Sequence, residues 1–413
     1  MYQLLRTEDA TQGMPSLRFL QRPEGNCGRG GLDPPATNLN FMKIAIDAMG
    51  GDFAPQAILE GAVAATREHS FQVILVGDRE IIEPQLYRAD PPEGRILIKH
   101  ASEVVRMDEA PRRALAKKRD SSILRTFELV KSGEADAAIS AGNSGAAMMA
   151  GMYVLGLLPN VERPAIGSII PTHSGRVVML DAGANVDCKP HNLVQFAFMG
   201  NALAKITLDI QSPRVGLLSI GEEAGKGNEV VRTTFDILKK SNLNFIGNVE
   251  GGDIFADRVD VVVCDGFVGN VALKVAEGVV YTLGMRLKEE ISNSLLGRFG
   301  YLFMRPALKK FKQRFDYAEY GGALLLGIDG VGLISHGGSN AHAIKNAIIS
   351  VDGYARARVS RSVREEVESS VDLKQTVGNK VHQVIEHLKE KKMDLGIIEK
   401  REASDSATEE EKT

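Results

Sequence analysis

The chain has 413 residues, 44% hydrophobic and 25% charged, with a formal net charge of -3. That allows a large core in an ordinary soluble composition and gives no bulk attraction to nucleic acid, while the absence of Trp and an aromatic content of 6% argue against a base-stacking surface. Cys27, Cys188 and Cys264 are too few and too scattered for a disulfide framework or a CxxC zinc site, which fits a reducing cytoplasm, and no run of about 18 apolar residues is available to span a membrane.

Residues 1–41 contain Pro15, Pro23, Pro34, Pro35 and a glycine cluster, without sustained periodicity. This composition predicts a disordered N-terminal extension. It lacks the apolar core of a secretory signal, and a targeting role is the lesser alternative. Met42 reads as a natural start leading directly into a strand. One α/β domain is expected over 42–395, followed by a charged, solvated tail over 396–413.

Within that domain the first strand, Lys43–Ile46, runs into Asp47-Ala48-Met49-Gly50-Gly51-Asp52. A helix follows with Pro55 in its first turn. Further strands are predicted at Phe71–Val76 and Ile96–Ile98, and a helix over Ser121–Lys131 that stops near Gly133. Asp136–Ile139 leads into Ser140-Ala141-Gly142-Asn143-Ser144-Gly145, and Val177–Leu180 into Asp181-Ala182-Gly183-Ala184-Asn185. Val215–Leu218 leads into Ser219-Ile220-Gly221-Glu222-Glu223, and Val261–Cys264 into Asp265-Gly266-Phe267-Val268-Gly269-Asn270. Alternating strand, loop and helix predict a three-layer α/β/α sandwich with a mostly parallel sheet covered on both faces. Ligands bind beyond the carboxyl ends of such strands, so these turns are expected to share one rim and one polar site for a small anion.

Residues 283–316 break the pattern. Leu283, Leu287, Ile291 and Leu295 recur every four residues, Phe299, Leu302 and Phe303 continue the stripe, and Leu308, Phe311 and Phe315 follow Pro306. The polar side carries Arg286, Lys288, Arg298, Arg305, Lys309, Lys310, Lys312 and Arg314. Two amphipathic helices bent at Gly297, Gly300 or Pro306 fit this spacing. An apolar stripe with a basic face suits an anionic membrane surface, with Leu295, Phe299, Leu302 and Phe303 inserted and Lys309 and Lys310 toward the headgroups. A core-packed hairpin or a dimer arm is the plainer alternative.

No GxGxxG follows the first strand, so dinucleotide binding fails its test. Gly221 to Gly227 has the wrong spacing for an ATP-type phosphate loop, yet its glycine N–H groups and Lys226 suit an anion; a surface turn is the alternative. Asn143 and Ser144 sit where a helix N-terminus would favour phosphate, or where an ordinary cap would stand. In Asp181 to His191, Lys189 offers charge, and Cys188 or His191 a nucleophile or base. Neither Cys188 nor Cys264 has an activating His nearby, so both read as small buried hydrophobes. His336, flanked by glycine at 337 and 338, is expected to face a cleft. No HExxH or Cys cluster supports a metal site.

Asp47–Asp52, Ser140–Ala146, Leu180–Asn185, Gly221-Glu222-Glu223 with Lys226-Gly227-Asn228-Glu229, Cys264–Asn270 and His336-Gly337 with Ser339 together resemble the bacterial phosphate acyltransferases of phospholipid synthesis, the PlsX family. The resemblance covers about residues 42–390. It implies transfer of a fatty acyl group from acyl carrier protein to inorganic phosphate without a cofactor. It also implies a fold like that of phosphate acetyltransferases and isopropylmalate-type dehydrogenases. The family's members are homodimers at the inner face of the membrane, and their acyl phosphate would supply a membrane-bound glycerol-3-phosphate acyltransferase. By residue type, Asn143, Ser144, Asn185 and Asn228 are candidates to cradle phosphate, Lys189 or Lys226 to offset its charge, and His336 or Lys274 to polarise the thioester carbonyl. Asp47, Gly50, Gly51, Asp52, Asp181, Glu222, Asp265, Asn270 and Ser339 complete the candidate binding rim. The rival readings are a short-chain phosphotransacetylase using coenzyme A and a non-catalytic membrane-associated scaffold.

Overall fold

In the computed structural model, β1 (Met42–Asp47) buries Ile44 and Ile46 against one layer of helices and Ala45 against the other. This alternation follows from the two-residue period of a strand and repeats through the sheet. The structure describes residues 41–370 apart from 316, so the expected extension over residues 1–40, residues 371–395 and the charged tail lie outside the described residues.

The chain continues as α1 (Gln56–Glu68), β2 (Phe71–Gly77), α2 (Arg79–Ala89), β3 (Ile96–His100), α3 (Pro111–Lys117), α4 (Ser122–Lys131), β4 (Ala137–Ser140) and α5 (Ser144–Ala150). Then come β5 (Ala165–Pro171), β6 (Arg176–Leu180), α6 (Pro190–Thr207), β7 (Val215–Leu218), α7 (Glu229–Leu238), β8 (Phe245–Val249) and β9 (Val261–Val263). The remainder is α8 (Gly266–Asn293), α9 (Leu295–Phe315), β10 (Ala323–Leu326), β11 (Gly332–Ile334), α10 (Ala341–Arg356) and α11 (Val359–Ser369). Pro55 stands at the N-cap position of α1 with helical backbone angles, and α4 stops where Gly133 adopts φ +76°, a conformation glycine takes without strain.

The sheet order is β3-β2-β1-β4-β11-β10-β5-β6-β9-β7-β8. Ile58, Phe196, Ile348 and Val363 from α1, α6, α10 and α11 bury one face. Leu115, Phe127 and Ala147 from α3, α4 and α5, with Leu273 at the base of α8, cover the other. The three-layer expectation is met. The expectation of a single rim is not. β10 is antiparallel to both neighbours, β11 and β5, and β5 is antiparallel to β6. The parallel block β3-β2-β1-β4-β11 therefore points one way and the block β6-β9-β7-β8 the opposite way. The glycine turns after β1, β4 and β11 stand on one edge, and those after β6, β7 and β9 on the other. No local sequence signal marks the short strands that reverse the direction.

The helical arm also differs from expectation. α8 runs unbroken from Gly266, and the break falls at Ser294, whose backbone is extended, not at Gly297, Gly300 or Pro306. Ser294 Oγ accepts the Gly297 N–H at 3.1 Å and so caps the second helix. Gly297 is needed for close approach, since a Cβ there would lie 2.7 Å from Ile291 O. Pro306 sits inside α9.

Candidate active site

At the first rim, Asp47 ends β1 fully buried, accepting from Ser140 Oγ at 2.9 Å and the Met49 N–H at 3.2 Å. Burial pushes its carboxyl above the ordinary carboxylate range, and these donors pull against the shift. A Cβ on Gly50 would lie 2.5 Å from Asp47 Oδ2 and 2.8 Å from Gly142 N. Gly51 has φ +108°, and the next N–H, that of Asp52, donates to Gly337 O at 2.8 Å. Close contact among three turns thus accounts for both glycines. Asn143 caps α5 by accepting the Ala146 N–H at 3.0 Å, and its amide reaches Met107 O at 3.1 Å and Glu109 O at 3.0 Å. Ser144, Asp52 and His336 are exposed, while Ser339 is buried with an unpartnered hydroxyl.

At the second rim, Asp181 organises the turn after β6. Its carboxylate accepts the N–H groups of Ile166 at 3.0 Å, Gly183 at 3.2 Å, Ala184 at 3.0 Å and Asn185 at 2.7 Å. Asn185 Nδ2 donates to Asp181 Oδ2 and to Pro164 O, both at 2.8 Å. Asn185 is therefore committed to shaping the turn. Burial raises the Asp181 carboxyl above its usual range, opposed by these donors.

The start of α8 fits against that turn. The Gly266 N–H donates to Asn185 O at 2.7 Å, and a Cβ on Gly269 would lie 1.9 Å from Asp181 O. Asp265 caps α8 through the Val268 N–H at 2.9 Å. Asn270 projects exposed beside Gly183, and Lys274, one turn on, pairs with Glu277 at 2.8 Å. Lys189 immediately precedes α6, and Asn228 caps α7 through the Val231 N–H at 2.9 Å. The side-chain amines of Lys189 and Lys226 have no ion pair or hydrogen bond among the described residues. Glu222 pairs with Arg258 at 2.9 Å, and Arg258 also holds Asp253 at 2.9 Å, a long-range brace that the sequence did not signal.

The second rim thus collects Asp181, Asn185, Lys189, Glu222, Lys226, Asn228, Asp265, Asn270 and Lys274. Asp47, Gly50, Gly51, Asp52, Asn143, Ser144, His336 and Ser339 stand on the opposite edge. Burial pushes the Cys188 thiol up to about 12 and Cys264 well above its ordinary value, so neither offers a thiolate near neutrality. His191, the other candidate base, is tied to the Glu162 carboxylate.

The arm exposes Phe299, Leu302 and Phe303 at 70%, 65% and 82%, so this stripe is not packed on the core. Lys309 and Lys310 are exposed on the same helix, while the Leu295 side chain lies outside the described residues. Among the described residues no helix is long and apolar enough to cross a membrane.

A family model described as "Fatty acid synthesis protein" matches residues 42–362. A phosphate acyltransferase of Geotalea daltonii is 53% identical over 332 residues, covering 80% of this chain and 96% of the relative. One of Geobacter sulfurreducens is 54% identical over 328 residues, covering 79% and 95%. One of Pelotomaculum thermopropionicum is 49% identical over 343 residues, covering 83% and 100%. In fold, the chain is similar to a phosphotransacetylase of Streptococcus pyogenes (TM-score 0.53, 20% identity, 77% of this chain and 95% of that one). It is likewise similar to the EutD phosphotransacetylase of Staphylococcus aureus (TM-score 0.50, 14% identity, 76% and 94%). With the family match spanning most of the described residues and relatives near half identical along almost their whole length, the chain belongs to the PlsX-type phosphate acyltransferase family of fatty acid synthesis proteins and is an acyltransferase.

Proposed function

We propose that the protein transfers a fatty acyl group from acyl carrier protein to inorganic phosphate, and that the second rim is where it does so. The observation that carries this reading is that Lys189, Lys226 and Asn270, with the N-termini of α6, α7 and α8, all follow the carboxyl ends of the adjacent strands β6, β7 and β9. Helix N-termini and ammonium groups favour a phosphate, and a braced loop presents them without a reorganisation cost.

A phosphate oxygen attacks the thioester carbonyl carbon. The C–O bond forms, the C–S bond breaks, and sulfur leaves with the electron pair as the carrier's thiolate. A thiol of pKa about 8.5 leaves with little acid assistance, so positioning and charge neutralisation suffice. Lys189 and Lys226 neutralise phosphate, and Asn270 Nδ2 stabilises the carbonyl oxygen as it gains charge. Lys274, on the same face of α8 as Asn270, adds positive charge near the thioester. The buried Asp181 and Asn185 hold the turn in place. No cofactor takes part.

The arm supports a peripheral membrane role at the inner face of the cell membrane. Exposed Phe299, Leu302 and Phe303 supply apolar area and Lys309 and Lys310 attraction to anionic lipid. An amphiphilic product would then be released beside its consumer, a membrane-bound glycerol-3-phosphate acyltransferase. The exposed Val271, Val275 and Val279 at the base of α8 suit a second copy of the chain.

The test is release of free thiol from palmitoyl-acyl carrier protein with and without inorganic phosphate. Release is expected only with phosphate, to persist in EDTA, and to exceed that from acetyl-coenzyme A. Faster turnover of acetyl-coenzyme A would favour the short-chain reading, and no phosphate-dependent release from either thioester would favour the scaffold.

A further inference from the structure

We infer that Asn248, on the edge strand β8, is the positioning residue for Lys226. The inference rests on the proposed phosphate role of the second rim. Asn248 is only 5% exposed, and its Nδ2 donates to Glu223 O at 2.9 Å. The Lys226 backbone N–H donates to the same carbonyl oxygen, also at 2.9 Å. One oxygen therefore joins a buried amide of the sheet to the turn that carries the lysine.

The surrounding contacts show how this loop is held. Arg258 grips Glu222 on one side, and Arg232 Nη1 donates to Gly227 O at 2.9 Å on the other. Gly227 has φ +92°, and a Cβ there would lie 2.7 Å from Val231 Cγ1 and 3.0 Å from Ser219 Oγ. Beneath the loop, Asn248 Oδ1 and Ser219 Oγ have no hydrogen-bond partner. The Nδ2 donor of the Asn248 side chain is committed to Glu223 O. Arg232 and Arg258 are exposed and hold the loop through long, flexible side chains, so the short buried amide sets the position most tightly.

The experiment is steady-state kinetics of Asn248→Ala and Asn248→Asp, the second keeping size and oxygen but losing the N–H. Each is expected to raise the KM for inorganic phosphate about tenfold, with kcat and the KM for palmitoyl-acyl carrier protein within about twofold. Because Asn248 acts through the lysine, Asn248→Ala in a Lys226→Ala background should add less than about twofold. An unchanged phosphate KM, or effects that multiply in the double variant, would overturn the assignment. A uniform fall in all parameters together with the melting temperature would also overturn it, because that marks a merely structural residue. If Asn248→Ala does not fold, the near-isosteric Asn248→Asp carries the test alone, with the same expected rise in phosphate KM and the same refuting outcomes. Wild-type protein assayed alongside separates the two levels: absence of phosphate-dependent turnover contradicts the proposed function, not the role of Asn248.

Discussion

Replacing Gly269 with Ala drives a methyl group into the turn after β6. The new Cβ would lie 1.9 Å from Asp181 O and 3.0 Å from Cys264 Sγ. Both neighbours are fixed, Asp181 O by backbone and Cys264 by burial, so α8 must move out by roughly 1.5 Å to restore ordinary contact near 3.5 Å. Overpacking of this kind costs about 1–3 kcal/mol, a fraction of the 5–15 kcal/mol that keeps a typical domain folded. The protein should therefore fold, with Asn270 displaced relative to Lys189 and Lys226. A displacement of that size at a reacting centre costs about 100-fold in turnover. The assay is kcat/KM for phosphate-dependent thioester cleavage, with the melting temperature measured in parallel. Gly278→Ala is the control: it lies on exposed α8 with nothing within 4 Å of the added Cβ, and should keep wild-type turnover while gaining about 0.5–1 kcal/mol. Wild-type turnover in folded Gly269→Ala would refute the reasoning, as would equal losses in both variants.

Three further outcomes are expected. The double variant Cys188→Ala, Cys264→Ala should retain substantial turnover, since both thiols are held protonated by burial; a folded but inactive protein would show that a thiol participates. Phe299→Glu with Phe303→Glu should release the protein from anionic vesicles in a co-sedimentation assay while leaving turnover on soluble substrate largely intact, and added salt should weaken wild-type binding; unchanged vesicle binding would reassign the stripe to a dimer contact. Asp47 has a folded pKa raised above its ordinary 3.8, so its contribution to stability is complete below that value and is lost as pH rises through the folded pKa. Asp47→Asn should therefore compare more favourably with wild type at pH 7 than at pH 4 in thermal melts, and a pH-independent difference would contradict the shift.

The strands and their glycine turns were legible because apolar runs ending in glycine and a small polar residue mark a parallel α/β unit wherever they occur. The site was less legible. Lys43–Ile46 and Val177–Leu180 look alike in sequence, yet they point in opposite directions because three antiparallel pairings, β11 with β10, β10 with β5 and β5 with β6, separate the two blocks. A reversal set by pairing across distant segments leaves no local trace. Likewise Asn185 and Asn270 have the same side chain, but one is buried and bonded to Asp181 while the other is exposed at the rim. Composition cannot separate these tasks. The basic, apolar arm was visible in its spacing, whereas its break at Ser294 was not, since glycine and proline nearby were the stronger signals and a serine cap decided it.

The central claim is that inorganic phosphate is the acyl acceptor. Its most direct measurement is the transfer of radiolabelled inorganic phosphate into an organic-extractable acyl phosphate during incubation with palmitoyl-acyl carrier protein. The account predicts labelled product in a one-to-one ratio with free carrier thiol, and loss of both signals together in Lys226→Ala. Thiol release accompanied by free palmitate with no label in the product would make the protein a thioesterase and contradict the account.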